Sequence, residues 1–298
     1  MARGPRPGPW TDVPHQHGRT FLVTGASSGL GLQTARILAH RGAHVVLAVR
    51  NPEKGEAAAA TIDGDVAVRR LDVADLGSVR AFAADTDRVD VLVNNAGVMA
   101  VPFGHSPDGV EMHFATNHLG HFALTNLLLP RLTDRVVVIG SQAHRRGRLD
   151  LDDLDWKRRG YRAFPAYAAS KLANLLFLGD LQRRLTAAGS TLRVTGAHPG
   201  SSATSITAST GSGLKTLLGS VGHRLTGMPA WRGALTTVYA ATMDVPGNTY
   251  IGPDGPREMT GWPVSVGRSR SATDPALAWA LWERSEDLTG VRFPFLAT

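Results

Sequence analysis

The chain has 298 residues, 43% of them hydrophobic, and no cysteine. This excludes disulfides, thiolate metal ligands and cysteine nucleophiles, and fits a soluble cytoplasmic protein folded as one large α/β domain. The formal charge is +7 and the pI about 10.3, but the arginines are scattered and do not cluster with aromatic residues, so no nucleic-acid surface is expected.

Residues 1–18, with Pro5, Pro7, Pro9 and Pro14, read as a flexible arm with Trp10 as its one candidate anchor. The arm lacks the apolar core of a signal peptide, and no apolar run in the chain approaches the ~18 residues that span a bilayer, so no membrane partner is expected. From Thr20 onward short apolar runs alternate with segments of helical period. Strands are predicted at Phe21 to Thr24, His44 to Val49, Val66 to Leu71, Val89 to Asn94, Arg135 to Ser141 and Leu192 to Ala197. Each is nearly continuous in Val, Leu or Ile, the pattern of strands covered on both faces. Helices are predicted at Leu30 to Arg41 and Glu53 to Thr61, and a last one from Asp274, as cap, and Pro275 to Leu288, presenting Leu277, Leu281 and Leu288. The economical fold is a single-domain Rossmann fold over 19–298, a doubly wound parallel sheet with helices on both faces.

Two stretches break the repeat. His144 to Pro165 is polar, its Arg145-Arg146-Gly147-Arg148 and Lys157-Arg158-Arg159 balanced by Asp150, Asp152, Asp153 and Asp155, and reads as solvated surface. The substrate-loop region at about 200–228 is rich in Ser, Thr and Gly and suggests a lid, and a C-terminal extension follows at about 253–298.

The chemistry-bearing residues fall at strand ends and helix starts. Gly25, Gly29 and Gly31 follow the first strand and open a helix, where backbone N–H groups and the helix's positive end can receive a pyrophosphate; a plain tight turn is the simpler reading. Arg50 ends the second strand, where an NAD-preferring fold places an acid on the ribose, so NADP(H) is preferred over NAD(H), with a solvated arginine as the plainer alternative. Asp72 either meets an adenine or caps the next turn. Asn94-Asn95-Ala96-Gly97 closes the fourth strand and reads alternatively as an Asn-Gly turn. Asn117 sits in an apolar helix, where an amide needs a partner, and Ser141 closes the fifth strand. His118, His121, His144 and His198 lack metal-ligand spacing and are taken as structural or surface residues, with no metal expected.

Tyr167 and Lys171 stand four apart, on one helical face and roughly 6 Å apart at Cβ. Bringing a phenol of pKa ~10 to neutrality takes roughly 4 kcal/mol, about what one ammonium at ~4 Å supplies when the effective dielectric is ~20. With the glycine turn, this pair points to hydride transfer.

Together these motifs resemble the short-chain dehydrogenase/reductase superfamily over about Gly18 to Gly261. T-G-x-x-x-G-x-G is Thr24 to Gly31, N-N-A-G is Asn94 to Gly97, and Y-x-x-x-K is Tyr167 to Lys171; Asn117, Ser141 and Pro199-Gly200 stand at the family's other marked positions. The resemblance implies Tyr167 as acid/base, Ser141 orienting the carbonyl, Lys171 lowering the tyrosine pKa and binding the nicotinamide ribose, and Asn117 holding a relay water. It implies cofactor contacts at Gly25, Ser27, Ser28, Gly29, Leu30, Gly31, Arg50, Asp72, Val73, Asn94, Ala96, Gly97, Tyr167, Lys171, Pro199, Gly200 and Thr204.

The 26 positions from Ser141 to Tyr167 and the run Tyr167 to Asn174 look like the retinol dehydrogenase and protochlorophyllide reductase-like branch. The lack of cysteine argues against light-dependent protochlorophyllide reduction, and the membrane anchor of many animal retinol dehydrogenases is not expected. Ser202 departs from the family's aliphatic residue, whereas Thr204 keeps its threonine. The expected substrate is a carbonyl or alcohol on a moderately apolar small molecule. The alternatives are a non-catalytic NADP-sensing protein, against which intact Ser141, Tyr167 and Lys171 argue, and a sugar-nucleotide epimerase, which would carry a larger C-terminal domain. Leu127, Leu128, Leu175, Leu176 and Phe177 offer either a dimer seam or core, and the resemblance implies a homodimer or homotetramer.

Overall fold

The computed structural model describes residues 13–201 and 228–295. Its sheet has eight strands in the order β3-β2-β1-β4-β5-β6-β7-β8, namely β1 (Thr20–Thr24), β2 (His44–Val49), β3 (Val66–Arg70), β4 (Val89–Asn94), β5 (Leu132–Ile139), β6 (Arg193–Ala197), β7 (Tyr250–Pro253) and β8 (Pro263–Ser265). All neighbours run parallel except β8, which is antiparallel to β7. The order reverses between β1 and β4, which opens a crevice beyond their C-terminal ends. The expected Rossmann architecture is present as one α/β domain. β7 and β8 are not among the expected strands, because their four and three residues are too short to show a period.

Alternation along the strands builds two cores. Phe21, Val23, Val137 and Ile139 face α1 (Gly29–His40) and the helix Ala230–Thr242, while Leu22, Val136 and Val138 face the opposite layer. That layer holds α3 (Leu76–Ala84), a short α4 (Met112–Phe114), a π-helical turn (Ala115–Leu119), α5 (Gly120–Leu128) and the long α6 (Ala163–Ala187). On the first face α2 (Pro52–Ala59) is capped by Asn51, whose Oδ1 accepts from Lys54 N at 2.7 Å. We number Ala230–Thr242 as α7 and the last helix, Pro275–Thr289, as α8. As expected, Asp274 caps α8 by accepting from Ala276 N and Leu277 N, and Gly290, at φ +63°, ends it.

α8 amends one expectation and decides between the two readings of another. Its buried face is Ala278, Leu281, Trp282 and Ser285, with Leu277 and Leu288 only partly buried. Trp282 packs edge-on to Phe122 at 4.9 Å between ring centroids and stacks on Phe177 at 5.8 Å. Leu128, Leu175, Leu176 and Phe177 are therefore core within one chain and present no open dimer seam; Leu127 is half-buried. The arm also ends earlier than expected, since Val13 and Gln16 are buried and Gln16 N donates to Arg41 O at 2.8 Å. The expected lid at 200–228 lies almost wholly outside the described residues, as does Trp10. Among the described residues no helix is long and apolar enough to cross a membrane.

Candidate active site

Two positions where β1 turns into α1 have room for glycine only. Gly25 has φ +67°, and a Cβ there would lie 2.8 Å from Ala96 Cα; one on Gly31 would lie 2.5 Å from Asn95 Nδ2. The first turn of α1 has no side-chain cap and no acid, so its N–H groups and positive end suit an anion. Thr24 fastens this turn to the one after β4: its Oγ1 accepts from Asn95 N and Ala96 N, both at 2.9 Å. With both acceptor positions used, the Thr24 proton goes to His121 Nε2 at 2.9 Å, which leaves His121 Nδ1–H to donate to Asn117 O at 3.2 Å. Burial pushes His121 down to about 4, consistent with this neutral tautomer.

Asn117 lies in the π turn, a distortion of a kind that often accompanies functional sites. The buried amide finds its partners within the chain. Its Oδ1 accepts from Val98 N at 2.8 Å, and its Nδ2 donates to Val98 O at 3.0 Å and to Ser170 Oγ at 2.9 Å. Asn117 thus ties the segment after β4 to α6. Gly97 lies in the same junction, where a Cβ would come 3.1 Å from Asn117 Oδ1 and 3.8 Å from Lys171 Nζ.

Ser141 follows β5 by two residues, accepts from Ala143 N at 3.1 Å and is hydrogen-bonded to Tyr167. Tyr167 and Lys171 sit one turn apart on α6, both buried. The expected acidified tyrosine is not what this geometry provides. Burial raises the Tyr167 phenol, and the Ser141 bond offsets only part of that. Lys171 Nζ lies 5.9 Å from the Tyr167 ring centroid and donates to Ile139 O at 3.0 Å, and burial lowers its own pKa to about 8. Spacing brought the pair to one face but did not dictate which acceptor the ammonium takes.

The other expected contacts divide. Arg50 is exposed beyond β2. Asp72 takes the capping option, its Oδ1 accepting from Ala74 N at 3.0 Å, and Val73 O packs against Gly120, where no Cβ fits. The Asn94 side chain turns away from the crevice, donating to Thr125 Oγ1 at 2.8 Å in the core. It is Asn95 whose amide reaches the glycine turn, donating to Thr24 O at 2.7 Å. Ser27, Ser28, Leu30 and Ala96 surround that turn, and Pro199-Gly200 leaves β6 with Gly200 at φ +66°. Thr204 and Ser202 lie outside the described residues. None of the four histidines is at the surface: His118, His121, His144 and His198 are all buried.

Sequence reasoning missed a wall beside Tyr167. His113, fully buried, bonds Glu111 Oε1 through Nδ1 at 2.7 Å, and its ring lies 6.3 Å from that of Tyr167. Tyr161 donates to Val101 O at 2.8 Å and sits 5.0 Å from the exposed Phe103 ring. No motif marks these residues; the one signal the sequence holds is the spacing of two between Glu111 and His113.

Comparison with known proteins agrees with this geometry. A family model described as short chain dehydrogenase matches residues 19–215. The chain is 41% identical to Homo sapiens retinol dehydrogenase 13 over 297 residues, covering 93% of this chain and 86% of that protein. It is 47% identical to Mus musculus retinol dehydrogenase 12 over 196 residues, 61% of either chain. A crystal structure of an uncharacterized protein from Mycobacterium paratuberculosis superposes with a TM-score of 0.84 at 52% identity, covering 96% of this chain and 98% of that one. A protein described as an NAD(P)-dependent gluconate 5-dehydrogenase from Beutenbergia cavernae, with NADP bound at low occupancy, gives 0.57 at 28% identity over 79% of this chain and 92% of that one.

Proposed function

The chain belongs to the short-chain dehydrogenase/reductase family, in its retinol dehydrogenase-like branch, and is a dehydrogenase/reductase; from that premise we propose an NADP-dependent enzyme that reduces a carbonyl on a moderately apolar small molecule. The observation that carries the reading is the meeting of Ser141, Tyr167 and Lys171 at the C-terminal end of β5, beside the glycine turn. The turn at Gly25 to Gly31 and the uncapped start of α1 suit a pyrophosphate. Arg50, exposed at the end of β2, suits a 2′-phosphate in place of the acid that favours NAD.

A bound nicotinamide would supply the hydride. In carbonyl reduction the Tyr167 hydroxyl donates the proton to the substrate oxygen while Ser141 Oγ orients that oxygen. A raised phenol keeps Tyr167 in its donor form, which favours reduction over alcohol oxidation. Lys171 is the cation that stabilises the tyrosinate left behind; Ile139 O takes one of its three N–H donors and leaves two for other acceptors. Tyr161 and Phe103, joined to the catalytic ring through His113, suit an apolar substrate. The lack of cysteine favours a cytoplasmic location.

Titration with NADPH and NADH, read by nicotinamide fluorescence, tests the cofactor assignment. Arg50→Ala is expected to weaken NADPH by roughly 1.5–3 kcal/mol, the worth of a charge-assisted contact, and to leave NADH unchanged. Equal binding of the two cofactors by the unmodified protein would overturn the NADP assignment.

A further inference from the structure

We propose that Glu258 is a positioning residue, whose carboxylate holds the Ser141 loop and the Pro199-Gly200 turn in one fixed arrangement at the site of hydride transfer. This rests on the reading of Ser141 and Tyr167 given above and adds a residue from the C-terminal extension to it.

The first observation is backbone geometry. Arg257 and Glu258 have φ of +54° and +56°, the only adjacent pair of non-glycine residues in the left-handed region among the described residues. Long side chains seldom adopt that conformation, and it persists only where surrounding contacts enforce it.

What the strained turn delivers is a carboxylate with three donors. Glu258 Oε2 accepts from Gln142 Nε2 and from His198 Nε2, the latter at 3.0 Å, and Oε1 accepts from Arg145 Nη2 at 3.3 Å. Gln142 is the residue after Ser141, and Arg145 lies on the same short turn, with its Nε donating to Gln142 Oε1 at 2.9 Å. His198 stands at the other loop, just before Pro199. Because its Nε2–H donates to Glu258, its Nδ1 is left to accept from Gly200 N, at 3.3 Å. Burial holds His198 down to about 4, so the neutral ring that this relay needs is the form present near neutrality.

The backbone continues the clasp. Met259 O, one residue on, accepts from Ser201 N at 2.7 Å, and a Cβ on Gly200 would fall 2.4 Å from that same oxygen. The loops leaving β5 and β6 are thus fastened to two consecutive residues of one turn. Glu258 makes these contacts from outside the reacting centre, and no proton need move through it. Its part is to fix the Ser141 hydroxyl relative to the turn that leaves β6.

The test compares the unmodified enzyme with Glu258→Ala and Glu258→Gln, using NADPH and the best substrate among hexanal, nonanal and benzaldehyde. Glu258→Ala is expected to lower kcat by about tenfold or more, the scale of a misplaced reacting group, and to shift the emission of bound NADPH toward that of free NADPH. Because the phosphate end is held at Gly25 to Gly31, Kd for NADPH is expected to stay within about threefold. Glu258→Gln keeps an acceptor for Gln142 and His198 and is expected to restore kcat to within about threefold of the unmodified enzyme.

Unchanged kcat and emission in Glu258→Ala overturns the proposal, as does an equal loss in both variants. If Glu258→Ala does not fold, Gln142→Ala removes one arm of the clasp. A fall in kcat of about threefold or more at constant Kd supports the proposal, and no fall overturns it. An unmodified protein that neither binds NADPH nor reduces any of the three aldehydes overturns the hydride-transfer reading itself, and Glu258's role with it; a failure specific to Glu258 shows only in the variants.

Discussion

Tyr167 and Lys171 are both desolvated, and desolvation favours the neutral form of each. For the phenol this is the proton-donating form, whereas for the lysine it removes the charge on which its role depends. Because kcat/KM follows the free enzyme, carbonyl reduction is expected to decline as pH rises through about 8, where Lys171 loses its proton. A profile flat from about pH 7 to about 9.5 would show that Lys171 does not act as a cation. The motif residues were legible because each type has few chemical uses at its place in the fold. Their hydrogen-bond partners were not. A spacing of four fixes which face Lys171 occupies, yet Ile139 O, 32 positions away, decides where the ammonium goes. Asn94 and Asn95 show the same limit: Asn94 ends β4 and Asn95 begins the turn after it, and only tertiary packing selects the one that meets the glycine turn.

At the level of elements, α8 is both cover and brace. Trp282 fills the angle between α5 and α6, and Ser285 Oγ bonds His118 Nε2 at 2.9 Å, one residue from Asn117. Trp282→Ala is expected to cost about 3–5 kcal/mol of stability, measured by urea denaturation, since a buried indole leaves a cavity that its neighbours fill only partly. A cost below about 1 kcal/mol would show that α8 packs only loosely on the fold. The start of α8 was legible in Asp274 and Pro275, because caps are local chemistry. Its buried face was legible only in part: leucine spacing pointed to Leu277, Leu281 and Leu288, of which Leu281 is buried, while Trp282 and Ser285 carry the contacts. The π turn at Asn117 left no trace in the apolar pattern, because one wide turn shifts the helical period too little to read.

Across the whole molecule the parallel direction of the first six strands followed from their apolar runs and from the rules of right-handed crossover, whereas β7 and β8, of four and three residues, are too short to show a period. The buried histidines give the fold a common acid weakness. His118 is pushed down to about 3 and His121 to about 4, in both cases chiefly by burial, and His198 to about 4. Between the unfolded value of about 6.5 and these folded values, the unfolded chain binds the protons, so stability falls as pH drops through that window. Tm is therefore expected to decrease steadily from about pH 6.5 toward about 4; a Tm constant down to about pH 5 would mean that these rings are not held neutral.

The central claim is that Tyr167 is the proton donor of a hydride-transfer enzyme, and the most direct measurement is NADPH oxidation by the unmodified protein and by Tyr167→Phe over a panel of apolar aldehydes and ketones. The account predicts carbonyl-dependent NADPH consumption that falls by about 10²–10⁴-fold in Tyr167→Phe, with NADPH binding retained. Tight NADPH binding without turnover of any carbonyl, or full activity in Tyr167→Phe, would contradict it.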